Sequence, residues 1–431
     1  MTKRVTGRSA GRQTQRPVRG QVSRQTNRAR PNLSQSGARL EELFGRIFRA
    51  QSIYFYQLLG VTVFLVAFGL VMVLSASSID SLKASNNSFA IFSKQAMFAV
   101  IGLIAMSLAS LMPLDWWRGR AKFAYMLTMG LQLAVLFIGI DINGNRNWIS
   151  IFGIAIQPSE FLKVAVVLHV SAYLASRSHD LDAVLTWRKA GVMMAAAMIL
   201  VFGGKDLGTM LIMLIMFLGL LSLAGLPMKL LRLALVGIAV LIPLALTIGS
   251  GSRIGRITAW MNPNAPDPNG YNWQAEHGMW AISAGRIFGS GLGESKMKWS
   301  WIPEVENDFI FAVIAEELGL IGALVVVALF VSLAIAFFKI WQRTADDFSR
   351  YVVSGIMIWI IFQALINMAV VLRLLPVLGV PLPLISAGGS SLIATLGAIG
   401  VVLAVERENH ANPLAGRQGR MPVARQVRRT R

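Results

Sequence analysis

Residues 308–338 have the sequence DFIFAVIAEELGLIGALVVVALFVSLAIAFF, and this apolar stretch decides the fold class. A helix of about 20 apolar residues crosses the hydrocarbon core of a bilayer, so this run is longer than a single crossing requires. Asp308, Glu316 and Glu317 stand in its first turns. Because charge at membrane depth is costly unless it is paired or used, the stretch predicts a membrane helix whose first turns line a polar cavity.

The composition of the whole chain agrees with a membrane protein. Of the 431 residues, 55% are hydrophobic, and the mean hydropathy is +0.59. The chain has no cysteine, which excludes disulfides and thiolate chemistry. We predict an all-α polytopic membrane protein with about ten transmembrane helices and one large extracytoplasmic loop. The predicted helices cover residues 55–76, 91–111, 121–141, 157–175, 190–203, 206–225, 229–249, 308–338, 351–372 and 384–405.

The distribution of charge predicts the domain organisation and the topology. Residues 1–50 carry 12 Lys and Arg against two Glu, and residues 407–431 carry seven Arg against one Glu. We predict a disordered basic cytoplasmic tail over 1–50, a membrane domain over 51–406 and a second basic cytoplasmic tail over 407–431. Since cytoplasmic segments of membrane proteins are rich in Lys and Arg, the positive tails need no nucleic-acid partner. With ten crossings both termini lie in the cytoplasm, and the protein lies in the cytoplasmic (inner) membrane.

The fifth predicted helix, 190–203, is short for a crossing and ends at Gly203-Gly204. This ending is typical either of a broken helix at a binding site or of a tight hairpin turn. The long loop, 250–307, is extracytoplasmic. Its Trp273, Trp280, Ala284 and Ile287 fall on one helical stripe, which suits a helix lying at the membrane surface.

Asp308 allows two interpretations. Asn307 or Asp308 at a helix start can be an N-cap that accepts hydrogen bonds from the first amides. A carboxylate beside an apolar wall can also serve as a general base. For Glu316 and Glu317 we predict a buried ion pair with a structural role for at least one of them, and for Glu306 a solvated loop charge.

Two other segments carry polar residues at membrane depth. In residues 141–165, Arg146 and Trp148 suit the outer interface, while Glu160 and Lys163 are spaced to pair on one helix face. That pair is either purely structural or part of a site. In residues 375–394, the run Gly388–Ser391, which includes Ser390, suits either an anion seat at a helix start or close helix packing through small residues.

These groups together suit one class of substrate. Cations hold phosphates, and the candidates for this are Arg146, Lys163, Arg286, Lys296 and Lys298. With Asp308 to act on a hydroxyl, they match a ligand that has an oily tail, a pyrophosphate and a polar head.

The same segments resemble the signature of the SEDS family (shape, elongation, division and sporulation). The matching stretches are NGNRNWI, QPSEFLKVA, KDLGTMLIM, GSGLGESKMKWSWIPEVENDFIFAVIAEELG and LPVLGVPLPLISAGGSSL, and the resemblance covers roughly residues 50–406. It implies a peptidoglycan glycosyltransferase that polymerises lipid II at the outer face of the membrane and releases undecaprenyl diphosphate. It also implies that Asp308 is the general base and that Glu304 and Lys163 support the substrate. The chain departs from the usual family pattern at Asn147, Gly204-Lys205 and Ala387.

The long basic N-terminal tail and the sequence PLPLIS favour the cell-division branch of the family. That branch implies septal cell-wall synthesis, with a class B penicillin-binding transpeptidase and other divisome proteins as partners. A divalent cation (Mg²⁺ or Mn²⁺) would suit the pyrophosphate, although no dedicated metal cage is readable in the sequence. Two alternatives remain open: a lipid-linked precursor transporter (flippase), and a non-catalytic divisome scaffold.

Overall fold

The computed structural model describes residues 51–142, 145–151, 153–180, 183–237, 251–262, 267, 270–296, 298–299, 301–302 and 304–411. The predicted tail 1–50 lies outside the described residues, as does the predicted tail 407–431 beyond residue 411.

The described residues form twelve α-helices, which confirms the all-α polytopic fold class. In chain order they are α1 (Ile53–Ser85), α2 (Ala90–Leu111), α3 (Leu114–Ile138), α4 (Pro158–Ala175), α5 (Val184–Gly203), α6 (Leu207–Leu223), α7 (228–237), α8 (Gly251–Met261), α9 (Trp273–Gly285), α10 (Ile310–Arg343), α11 (Asp347–Val371) and α12 (Gly389–Ala411).

Seven of the described helices are long and apolar enough to cross a membrane: α1, α2, α3, α5, α10, α11 and α12. Predicted spans four and six correspond to α4, which carries Glu160 and Lys163, and to α6, which has 17 residues. The predicted span 229–249 is described only to residue 237, where it is helical. The protein is therefore a multi-pass membrane protein.

Local chemistry explains where several of these helices begin and end. Ser52 caps α1 by accepting a hydrogen bond from the Phe55 amide, and Asn86 ends α1 in the left-handed region with φ of 52°. α1 is therefore longer than the predicted 55–76. α5 begins at Val184, six residues before the predicted start, and its 20 residues are enough for a crossing.

A small antiparallel sheet was not predicted from the sequence. It comprises β1 (Ile140–Ile142), β2 (Asn145–Ile151) and β3 (Ile154–Ile156), in the order β1-β2-β3. The strands pair through short-range registers such as Ile140 with Trp148 and Ser150 with Ala155. The sheet connects α3 to α4, and its strand β2 carries Arg146 and Trp148.

Helices α11 and α12 form the centre of the bundle. α4, α6 and α10 pack against α11, and α2 covers α12. The outer helices α1, α2 and α3 each expose one side, on which large apolar residues such as Phe64, Ile104 and Phe123 are more than half exposed. Such a surface belongs against lipid, because contiguous apolar area of this extent is rare on proteins surrounded by water.

Helix α10 is broken at Gly319, where φ is 69° and ψ is −168°. The segment 286–291 replaces the helical hydrogen bonds lost at the break. Two of its amides donate to the carbonyl oxygens of Glu316 and Glu317, and two of its carbonyl oxygens accept from the amides of residues 320–321, at 2.9 to 3.2 Å. The loop predicted to be extracytoplasmic is thereby joined to the interrupted helix, because backbone groups at membrane depth must find partners inside the protein.

Candidate active site

The turn before α10, residues 304–309, carries Asp308. The Asn307 amide donates to the Glu304 carbonyl oxygen at 2.9 Å, the Asn307 side chain donates to the Glu304 carboxylate, and Glu304 adopts φ of 54°. The N-cap residue of α10 is Phe309, which makes no side-chain cap hydrogen bond. The N-cap interpretation of Asn307 or Asp308 was therefore wrong, because the turn places the N-cap one residue later, at Phe309.

The Asp308 side chain is buried, with 9% of its surface exposed, and its Oδ1 has no hydrogen-bond partner among the described residues. Burial raises the pKa of Asp308 to about 7. Burial is the largest of several effects behind that value: the charges of Glu304 and Glu306 also raise the pKa, whereas the backbone amide of Asp308 and the charge of Arg256 in α8 lower it. A carboxyl group poised near neutral pH has the proton affinity that general-base chemistry needs.

Glu306 is not the solvated loop charge that the sequence suggested. Its Oε2 is buried without a partner among the described residues, and burial raises the pKa of Glu306. The turn folds inward because the Ala387 amide donates to the Glu306 carbonyl oxygen at 2.9 Å. Two neighbouring carboxyl groups therefore compete for the role of base, and Asp308 is the more deeply buried.

Lys163 lies in a second buried cluster, in α4. Its Nζ is 2.9 Å from Glu160 Oε1, 3.3 Å from Gln363 Oε1 and 4.6 Å from the centre of the Trp359 ring. The Lys163 side chain is 1% exposed. The pairing of Glu160 and Lys163 predicted from their spacing is confirmed, and the amine is fully surrounded by protein. A contact between Lys163 and substrate stays a prediction.

Asp206 and Gln157 extend this polar cluster toward α6 and α12. The Gln157 side chain donates to Asp206 Oδ2, and the Gln157 amide donates to Ser390 Oγ, both at 3.0 Å. Burial raises the pKa of Asp206, which also caps α6 by accepting from the Thr209 amide. Ser390 therefore lies within hydrogen-bond distance of the α4 start.

The predicted anion seat at the start of α12 is engaged by other protein groups. The Gly388 amide donates to Gln95 Oε1 at 3.1 Å, and Gln95 Nε2 donates to the Ser386 carbonyl oxygen at 3.1 Å. A side chain at Gly389 would collide with the Phe98 ring. The close packing of small residues is thus observed, and a substrate contact of Ser390 stays a prediction.

The predicted outer cations lie on exposed segments. Arg146 in β2 is exposed and donates to the Leu136 carbonyl oxygen at 3.3 Å, while Trp148 is half-buried. Arg286, at the end of α9, and Lys296 are exposed. In the part of the chain that the structure describes, no hydrogen bond or ion pair joins their side chains to the Asp308 turn.

The carboxylates of Glu316 and Glu317 hold the loop that carries Lys296. Glu316 Oε1 accepts from the Lys296 amide at 2.9 Å. Glu317 Oε1 accepts from Ser75 Oγ in α1 at 2.6 Å and lies 4.0 Å from Lys298 Nζ. The structural role predicted for at least one of these glutamates is confirmed, and Lys298 is a buried partner of Glu317, not an exposed cation.

The predicted surface helix corresponds to α9, which carries Trp273, Trp280 and Ala284, but α9 ends at Gly285, so Ile287 lies beyond the helix and the predicted stripe is only partly helical. Trp273, Trp280 and Ile287 are 43%, 51% and 55% exposed. His277 lies beneath them, and its ring centre is 3.9 Å from that of Trp273. These aromatic side chains form the outer surface of α9.

Sequence reasoning missed the amide side chains of α11, Gln363 and Asn367. Both are 1% exposed, and Asn367 donates to the Asp308 carbonyl oxygen at 2.7 Å. The available signal was their occurrence inside an apolar helix, since polar groups within membrane spans are usually functional.

We expect Lys163→Met to destabilise the protein by roughly 3–5 kcal/mol, because it leaves the buried Glu160 without its cation. Glu160 Oε2 already has no partner among the described residues, so no neighbouring group there compensates for the lost Lys163 cation. The double variant Glu160→Gln/Lys163→Met should recover most of the stability. Thermal unfolding of the detergent-purified protein measures the stability of both variants. If Lys163→Met is as stable as the wild type, the Glu160–Lys163 pair does not contribute to stability.

A metal ion held by the chain does not fit this site. Over the described ranges, no group of three or more His, Asp or Glu side chains is arranged to hold a metal ion.

Comparisons with known proteins agree with these observations. The model of the FtsW, RodA and SpoVE family, described as cell cycle protein, matches residues 56–411. The chain is 35% identical over 427 residues to the probable peptidoglycan glycosyltransferase FtsW of Mycobacterium tuberculosis, covering 97% of this chain and 80% of the relative. It is 35% identical over 356 residues to stage V sporulation protein E of Bacillus subtilis, covering 80% and 95%.

Two solved structures share the fold. One is a chain of a structure described as "Structural coordination of polymerization and crosslinking by a peptidoglycan synthase complex", with a TM-score of 0.69 and 26% identity. The other is the rod shape determining protein RodA of Thermus thermophilus, with a TM-score of 0.63 and 26% identity. Each match covers 84% of this chain and 99% of the other.

Proposed function

Because the chain belongs to the FtsW, RodA and SpoVE family of cell cycle proteins, we propose that it is a peptidoglycan glycosyltransferase that polymerises lipid II. The observation that supports the mechanism most strongly is Asp308. Its carboxylate is buried, its Oδ1 has no partner among the described residues, and its pKa is about 7.

Asp308 is the general base of this reaction. It removes the proton from the acceptor sugar hydroxyl as that oxygen attacks the anomeric carbon of the donor. The bond between the donor sugar and the pyrophosphate breaks, and the electron pair leaves with undecaprenyl diphosphate. General-base catalysis of this kind contributes about 10²–10⁴-fold to the rate.

The cations at the outer surface bind the pyrophosphate in this proposal. Arg146, Arg286 and Lys296 have exposed side chains, so they are accessible to a ligand that enters from the outer leaflet. Glu304, in the turn of Asp308, and Trp148 contact the sugar portion. Lys163 and Ser390 support the site from the buried cluster below.

The expected pH dependence follows from the pKa of Asp308. The base must be ionised, and burial raises its pKa to about 7. Below that value, kcat/KM for strand synthesis should fall about tenfold per pH unit, and above it the rate should level off. A rate profile of the purified protein between pH 5 and 9 measures this; an acid limb centred near pH 4, the ordinary value for Asp, would contradict the burial argument.

The proposed partners and location follow from the division branch of the family. The protein works at the septum with both termini in the cytoplasm, beside a class B penicillin-binding transpeptidase and other divisome proteins. An apolar groove of about 430 Å³ faces outward between α10 and α11. Its lining includes Ile335, Phe338 and Phe362, each more than two-fifths exposed, and it suits a single transmembrane helix of that transpeptidase.

Glycan-strand synthesis from lipid II by the purified protein, with and without the transpeptidase, tests the proposed function. Strands made by the wild type support it. The break at Gly319 is the feature that a flippase would share, because discontinuous helices are typical of transporters. Movement of labelled lipid II between the two leaflets of vesicle membranes, without strand synthesis, would favour the flippase. Neither activity, with partner binding retained, would favour a scaffold.

A further inference from the structure

Helix α11 carries two buried amide side chains one turn apart, Gln363 and Asn367. Both reach across to the segment that connects α11 to α12. Gln363 Nε2 donates to the Pro381 carbonyl oxygen at 3.0 Å, and Asn367 Nδ2 donates to the Val380 carbonyl oxygen at 2.8 Å. The helix and this segment are thus joined at two successive residues.

Asn367 also reaches the turn that carries the proposed base. Its Nδ2 donates to the Asp308 carbonyl oxygen at 2.7 Å, so both of its amide hydrogens are used. Its Oδ1 is buried without a partner among the described residues, a cost that packing alone would not require. A leucine fills a similar volume, so the donors are the distinctive contribution of this side chain.

The hydrogen bond from Asn367 Nδ2 to the Asp308 carbonyl oxygen fixes the backbone of Asp308 itself. With the backbone held, only the two side-chain torsions decide where the carboxylate stands. A second tie, from the Ala387 amide to the Glu306 carbonyl oxygen, holds the turn two residues earlier. Because catalysis depends on placing the reacting groups within a fraction of an ångström, a residue that fixes this backbone affects the rate without touching the substrate.

The same network extends to the Lys163 cluster. Gln363 Oε1 accepts from Lys163 Nζ at 3.3 Å and from Trp359 Nε1 at 2.8 Å. A chain of hydrogen bonds therefore leads from Lys163 through Gln363 to residues 380–381, and from there through Asn367 to Asp308. Lys163 and Asp308 are far apart along the chain, and side chains on one face of α11 connect them.

We propose that Asn367 is a positioning residue that holds the proposed base Asp308 in place, and that Gln363 extends this brace to Lys163. This inference rests on the proposed function for its kinetic readout. Its structural readout is independent of that function.

The test compares Asn367→Leu with Asn409→Leu. Asn409, at the end of α12, donates to Thr344 Oγ1 at 2.9 Å and to Glu406 Oε2 at 3.3 Å, so the control also removes two hydrogen bonds, at a place remote from Asp308. For Asn367→Leu we expect kcat per folded molecule to fall about 10- to 100-fold with KM little changed. For Asn409→Leu we expect unchanged kinetics. Gln363→Leu should give a smaller loss of kcat than Asn367→Leu.

A second readout follows the Asp308 carboxyl group directly. Infrared difference spectra against Asp308→Asn give the titration midpoint of that group. The strongest charges acting on it are Glu304 and Glu306 in its own turn and Arg256 in α8. In Asn367→Leu the released turn gains access to water, so the midpoint should move to lower pH; in Asn409→Leu it should not move.

The outcomes separate this inference from the proposed function. A midpoint that stays in place in Asn367→Leu, or a kcat per folded molecule that stays at the wild-type value, overturns the positioning role. If the wild type makes no strands, the proposed function fails, and the infrared midpoint alone decides whether Asn367 positions Asp308.

Discussion

Asp308→Asn is expected to reduce the rate of strand synthesis from lipid II by about 10²–10⁴-fold while leaving the amount of folded protein unchanged. The amide keeps the shape of the carboxyl group but cannot accept the acceptor proton. Folding should tolerate it, because Asp308 lies buried with an unpartnered Oδ1 and, among the described residues, makes no ion pair that the amide would break. Single-turnover assays on detergent-purified protein, normalised to the folded fraction, measure the effect.

Glu306→Gln is the matched control, since Glu306 is in the same turn and its Oε2 is also buried without a partner among the described residues. We expect this variant to keep most of the activity. The charge of Glu306 raises the pKa of Asp308, so removing that charge should move the acid limb of the rate profile to lower pH. If Glu306→Gln abolishes synthesis and Asp308→Asn does not, the base is Glu306.

Gly319→Ala should prevent stable folding, with a cost of roughly 3 kcal/mol or more. Gly319 has φ of 69° and ψ of −168°, a region essentially restricted to glycine. A Cβ atom there would lie 2.4 Å from the Gly289 nitrogen and 2.4 Å from the Ile287 carbonyl oxygen. These contacts are backbone atoms, so they cannot swing aside, and segment 286–291 would be pushed off the break in α10.

Gly397→Ala in α12 is the control for this prediction. A Cβ atom at Gly397 meets nothing within 4 Å, so the substitution should be neutral or stabilise the helix by about 0.5–1 kcal/mol. Yield of monodisperse protein and the thermal unfolding midpoint in detergent report both variants. Equal midpoints for Gly319→Ala and the wild type would mean that α10 can close its break without loss.

The apolar runs of the sequence predicted the helices well, and local patterns located single features within them. The predicted span 157–175 located α4 to within one residue, and the spacing of Glu160 and Lys163 predicted their pairing. Prediction failed where the outcome depended on a neighbouring segment. The N-cap interpretation of Asp308 was wrong because the 304–309 turn is pulled inward by Asn367 and by Ala387, which lie far along the chain.

The sequence by itself determined the membrane class, nearly all of the described helices and the acidic residues at the head of α10. It could do so because hydropathy and helical periodicity act over a few turns, whatever the rest of the chain does. Only the tertiary structure decided which carboxylate oxygens are buried without a partner among the described residues, where α10 breaks, and which amides tie α11 to Asp308. Those outcomes depend on groups far apart along the chain, such as Asn367 and Asp308, which are 59 residues apart, and how the helices pack decides which of these groups meet.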